Sequence, residues 1–98
     1  MANINYEIKA KQREDGWVDG TIDAFRFQAK VFNEGSVYGI NEGRVSKLCI
    51  WNAAHPQLSQ SIVNYDRGWD IRPSFPADRR MMKALVAYLE KLPIIEIK

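Results

Sequence analysis

Two groups of residues in this chain combine positive charge with aromatic surface, and each could hold a ligand. In the first, Arg26 and Lys30 sit four apart in a stretch that alternates polar and apolar residues. They therefore project from one face of a strand, with Gln28 between them. Arg44 and Lys47 fall on a stretch expected to neighbour that strand, and Trp51 follows. Together they describe a basic sheet face with an aromatic platform, suited to a nucleotide or a nucleic-acid strand through charge and stacking. An ordinary solvated sheet face carries similar residues, because long basic side chains also protect sheet edges. The second group is Tyr65, Arg67, Trp69 and Arg72, around the hairpin-like turn Asp66-Arg67-Gly68. Aromatic and arginine side chains are enriched at binding hot spots. Tyr65 and Arg67 are expected beside an exposed turn, with Trp69 in the core.

Other arrangements offer less chemistry. Gly35, Gly39 and Gly43 recur every four residues, but no helix is expected to open after them and present amides to a phosphate. They read as turn residues. His55 is the single histidine and Cys49 the single cysteine. A zinc site would then need mostly carboxylates, and a general base would need an orienting partner, for which Asp66 and Asp70 are distant. Asp15, Asp19 and Asp23 are spaced by four but match no calcium-loop pattern. Arg79, Arg80 and Lys83 place positive charge near the start of a helix, where the dipole disfavours it. No catalytic residue, cofactor or metal site is expected, and the chain does not read as an enzyme.

These side chains need a scaffold, and the pattern supplies one. Residues 3–9 alternate, with Ile4, Tyr6 and Ile8 on one face, and predict a strand. Residues 11–16 read as a charged turn. Trp17–Ile22 predicts a short strand interrupted at Gly20, and Asp23-Ala24 a tight connection. Phe25–Val31 is the clearest strand, with one wet and one dry face. A turn at residues 33–36 precedes a short strand at 37–40 and a second turn at 41–43. Val45–Asn52 predicts a strand with Ser46, Leu48 and Ile50 on one face and Val45, Lys47, Cys49 and Trp51 on the other. Apolar groups on both faces suggest a strand that is central or covered on both sides. Residues 53–60, including His55-Pro56, read as a surface loop. Residues 61–65 and 69–72 form a hairpin closed by Pro73.

The C-terminal third predicts one amphipathic helix. Pro76 suits its first turn and Asp78 its positive end. Met81, Leu85, Tyr88, Leu89 and Leu92 share one face, while Arg79, Lys83 and Glu90 fall on the other. Pro93 ends the helix, and Ile94, Ile95 and Ile97 could form a short last strand or pack as a tail. The fold expected is α+β: an antiparallel β-meander sheet packed on one C-terminal amphipathic helix.

Composition fits a single domain over residues 1–98. The chain is 46% hydrophobic and 27% charged, with 14 basic and 12 acidic residues and a net charge of +2. A general nucleic-acid binder usually carries a larger basic excess, so that class ranks lower. No apolar run approaches the ~20 residues that cross a bilayer, and residues 1–8 lack the apolar core of a secretory signal. With one cysteine there is no internal disulfide, and a reducing, cytoplasmic setting is expected.

The segments Trp17-Val-Asp-Gly-Thr-Ile, Phe27-Gln-Ala-Lys-Val, Gly35-Ser-Val-Tyr-Gly-Ile, Gly43-Arg-Val-Ser-Lys-Leu and Tyr65-Asp-Arg-Gly-Trp carry a resemblance. Together they resemble a family of short uncharacterised proteins encoded by phages, plasmids and integrated elements of Gram-positive bacteria. That resemblance implies context rather than chemistry, and no site residues come with it. Small phage proteins often act by binding: they block a host defence complex, sequester its signalling nucleotide, or assist replication or packaging. The leading expectation is a non-enzymatic binding protein that occludes a host protein or captures a small nucleotide. Its candidate surfaces are Arg26, Lys30, Arg44 and Lys47, or Tyr65, Arg67 and Trp69. A nucleic-acid-binding accessory protein and a structural homo-oligomer are the alternatives.

Overall fold

The computed structural model describes residues 6–54 and 61–94. Six strands, β1 (Ile8–Gln12), β2 (Trp17–Ile22), β3 (Phe25–Val31), β4 (Val45–Asn52), β5 (Ser61–Asp66) and β6 (Trp69–Ile71), form one sheet. Their spatial order is their sequence order, and every neighbouring pair is antiparallel. The helix α1 (Pro76–Glu90) packs across one face, as the expected meander-plus-helix fold requires.

Alternation decides which side chains meet. Val18 faces Ala29, Ala29 faces Leu48, and Leu48 faces Tyr65. Ile22, Phe27, Ile50 and Val63 complete the same face, and all four are buried. On α1, Met81, Met82, Leu85 and Leu89 return to one stripe and close the core against it. Met82 takes the share expected of Tyr88, which is 37% exposed. Gly20 does not interrupt β2. It lies opposite Phe27, and a Cβ there would collide with the Lys9 carbonyl oxygen and the Phe27 ring. The glycine marks a close approach of backbone and ring, not a break.

Several boundaries differ from the pattern reading, each for a local reason. β1 runs on to Gln12, because Lys11 and Gln12 pair with Asp19 and Val18. Lysines are well tolerated on such an edge strand. The earlier part of the expected first strand, residues 3–5, lies outside the described residues. Residues 37–40 are not a strand: Val37 and Tyr38 are 77% and 57% exposed, and a one-turn 3-10 helix at Ile40–Glu42 follows. Asn41 and Glu42 have positive φ there, and Ser36 Oγ accepts the Tyr38 amide, so local bonds replace a ladder. A shift of register between Lys30 and Val31 makes Val31 face Val45. This bulge turns Val45 into the core instead of placing it beside Lys47. β4 is central, between β3 and β5, as one of the two expected alternatives has it, but not covered on both sides, since its Lys47, Cys49 and Trp51 face is only half-buried. Ile94 is exposed and outside any strand. The His55 loop, residues 55–60, and residues 95–98 lie outside the described residues.

Glu90 is the largest departure. Expected on the outward face of α1, it turns to the sheet and accepts the Arg44 amide at 3.0 and 2.8 Å and the Val45 amide at 3.1 Å. Gly43 makes this possible, because a Cβ there would strike the Glu90 carboxylate. Arg44 answers in the other direction. Its Nη1 donates to the Glu90 and Leu92 carbonyl oxygens at 2.8 Å, and its Nε donates to the Phe32 carbonyl oxygen at 2.7 Å. A cation thus meets the free carbonyls at the negative end of the helix dipole. Gln12 Nε2 adds a bond to the Pro93 carbonyl oxygen at 2.8 Å.

Leu85 is fully buried. Leu85→Ala is expected to lower unfolding free energy by about 2–5 kcal/mol in urea titration, against less than about 0.5 kcal/mol for Lys83→Ala at an exposed position. Arg44→Ala is expected to cost on the order of 3 kcal/mol by the same measurement. Arg44→Lys should recover less than half of that, because an ammonium cannot reproduce the guanidinium fork.

Candidate functional site

Among the described residues, one helix covers one face of the sheet and no element covers the other. Its residues follow from the register. Trp17, Lys30, Lys47 and Asp66 form one cross-strand row, and Lys11, Asp19, Gln28, Cys49 and Asn64 the next. Lys9, Thr21, Arg26 and Trp51 form the third. Five basic side chains therefore share this face with three acidic ones, Asp19, Asp66 and Glu7, the last paired with Lys9 at 3.4 Å. The surplus on this one face equals the net charge of the whole chain, +2.

Two shallow depressions lie side by side on this face. The larger, about 440 Å³, is lined by Trp51, Arg26, Gln28, Thr21 and Asp19, and the smaller, about 240 Å³, by Trp17, Lys47, Gln28, Cys49 and Asn64, with others. Each thus pairs one indole with one cation, and Gln28 borders both. The ammonium groups of Lys30 and Lys47 stand 5.4 and 5.7 Å from the centre of the Trp17 ring. Lys30 also donates to the Asp15 carbonyl oxygen, which fixes it beside that ring. Lys47 pairs with Asp66 at 3.7 Å, and Asp19 with Arg13 at 3.5 Å. Exposed pairs of this kind are weak and open readily to a competing anion. Cys49 Sγ lies 3.1 Å from Ser61 Oγ.

The two groups singled out from the sequence fare differently. Arg26, Lys30 and Lys47 share the open face with Trp51. Arg44 does not join them, because the helix end engages its guanidinium. The second group divides. Tyr65 is 6% exposed, its hydroxyl donates to the Tyr38 carbonyl oxygen at 2.7 Å, and its ring meets Trp69 edge-on at 5.0 Å. It belongs to the core, not to an exposed turn, and Trp69 is the half-buried member of the pair. Arg67 occupies the turn at φ 59° with its guanidinium 5.6 Å from the Tyr38 ring, and Arg72 stacks on Trp69 at 5.1 Å. Both arginines already rest on aromatic rings of their own chain.

Trp17, Asn64, Lys9 and Lys11 were not among the candidates. Trp17 was legible through parity, since Val18, Gly20 and Ile22 point inward and place Trp17 opposite. Of the spaced aspartates, Asp15 and Asp19 meet only at the Arg13 guanidinium, at 3.9 and 3.5 Å. Asp15 accepts the Trp17 amide, Asp23 accepts the Glu7 amide, and Asp19 pairs with Arg13. Among the described residues, no three His, Cys, Asp or Glu side chains are grouped to hold a metal ion. No described helix is long and apolar enough to cross a membrane.

Residues 16–92 match the domain of unknown function DUF7678, and the chain belongs to that family. The matched span holds both depressions and the Arg44–Glu90 contact, and leaves β1 outside. No curated protein and no solved structure matches the chain.

The Lys30–Trp17 contact is expected to contribute a coupling of about 0.5–1 kcal/mol. A double-mutant cycle with Lys30→Ala and Trp17→Ala, read by urea unfolding, measures it, and the coupling should survive raised salt better than the Lys47–Asp66 pair.

Proposed function

We propose that the chain is a non-enzymatic binding protein of a phage or other mobile element, and that its open sheet face captures a ligand bearing both phosphate and base. The observation that carries this reading is the pair of depressions in which an indole and a cation flank the shared Gln28. An indole face offers stacking area, and Arg26, Lys30 and Lys47 offer charge-assisted hydrogen bonds to phosphate oxygens. The Gln28 and Asn64 amides can both donate and accept, which suits the edge of a base. The resemblance to short proteins of mobile elements supports a role by capture or occlusion. Sequestering a nucleotide, or masking nucleic acid, would deprive a host defence of what it reads.

Native mass spectrometry of protein purified gently from its host, joined to tryptophan fluorescence on addition of nucleotides and oligonucleotides, tests the reading. A co-purifying nucleotide species, or saturable quenching, is expected. Replacing both Arg26 and Lys30 by glutamate should weaken binding by about tenfold or more, while Arg67→Glu leaves it unchanged. An apo mass together with no quenching by any nucleotide, monomeric or polymeric, would overturn it.

A further inference from the structure

We infer that the occupant of the open face is single-stranded nucleic acid, running diagonally from Trp17 to Trp51. This rests on the reading of that face as a nucleotide-binding surface, and it names the ligand as a polymer. The two indoles stand on β2 and β4, two strands apart, and four residues apart along the strand direction. Strand spacing and rise place them about 16 Å from each other. A single base cannot touch both. Gln28 lies between them on β3 and borders both depressions.

The charge extends further than either depression. Lys11 continues the second row onto β1 as a diagonal neighbour of Trp17, and Lys9 continues the third row three strands away from Trp51, where it pairs with Glu7 at 3.4 Å. Both are exposed. A small-molecule site usually encloses most of its ligand, whereas both depressions are open to solvent and meet at Gln28. A backbone of regularly spaced phosphates can follow such a surface while its bases stack on successive aromatic platforms. A duplex hides the faces of its bases, so the indoles would gain nothing from it. The near-neutral charge of the whole chain does not oppose this, because the open face alone carries a surplus as large as that of the chain.

The test is fluorescence anisotropy with a labelled oligothymidylate of about eight nucleotides, alongside thymidine monophosphate and a duplex of equal length. The single strand is expected to bind best, with log K falling against log salt at a slope of about −2 to −3.5 for three to five neutralised phosphates. Trp51→Ala should weaken binding between about fivefold and a hundredfold, and Trp51→Phe should restore much of it. A second readout needs no variant. Cys49 is the only cysteine and lies in the floor between the two indoles, so the oligonucleotide should slow its alkylation by a maleimide. Equal affinity for the monophosphate and the oligomer would overturn the polymer and leave the nucleotide reading standing. Oligomer binding that neither protects Cys49 nor depends on Trp51 would move the site elsewhere. Failure of every nucleotide species would overturn both readings.

Discussion

Arg44 and Glu90 hold each other by what they do for the other's backbone. The carboxylate takes the amides that open β4, and the guanidinium takes the carbonyls that close α1. Forty-six residues separate the two, so this contact joins the last element to the middle of the sheet. Neither half works alone: without Glu90 the amides lose their acceptor, and without Arg44 the helix ends on unanswered carbonyls. The contact fastens the end of the helix over the face on which the apolar side chains lie. Everything said of the opposite face depends on that placement.

With one helix for two faces, the sheet separates two solvents. Inside lie Val18, Ile22, Phe27, Leu48, Ile50 and Val63 against the methionines and leucines of α1. Outside, the same strands present two tryptophans, an amide and a surplus of cations. An indole on a water-facing sheet is half-buried only by its neighbours, and around Trp17 those neighbours are lysines. The apolar and basic components of the surface are therefore interleaved rather than separated, which keeps the face soluble while leaving stacking area within reach of charge. Arg67 and Arg72 satisfy similar ring contacts at the hairpin, where their partners are already chosen.

Where a local period determines structure, the sequence could be read directly. Phe25–Val31 alternates without exception, Pro76 marks the start of the helix, and Asp66-Arg67-Gly68 turns one strand into the next. Where a distant partner determines structure, it could not. Nothing near Glu90 shows that it faces inward, because the reason lies at Gly43 and Arg44. Val45 changes face through a bulge opposite Lys30, which no alternation rule on its own strand reveals. Val37 and Tyr38 have strand-like composition, yet the chain there is held by a serine hydroxyl and two residues with positive φ. The basic face was partly visible through Arg26, Lys30 and Lys47. Its second platform, Trp17, follows from the parity of β2, while its place beside Lys30 rests on the pairing of β2 with β3.

The meander order has a kinetic side. Every strand pairs with its neighbour in sequence, so strand pairing stays local, with the connection at residues 32–44 between β3 and β4 the widest to close. Helix docking is the one step that must close a long loop. A sheet can therefore zip up hairpin by hairpin before the helix arrives, exposing its future core in the interval. The polar face is complete at that stage and the apolar one is bare. Association during synthesis would then proceed through the side that the finished protein hides, and the Arg44–Glu90 contact is what ends that vulnerability.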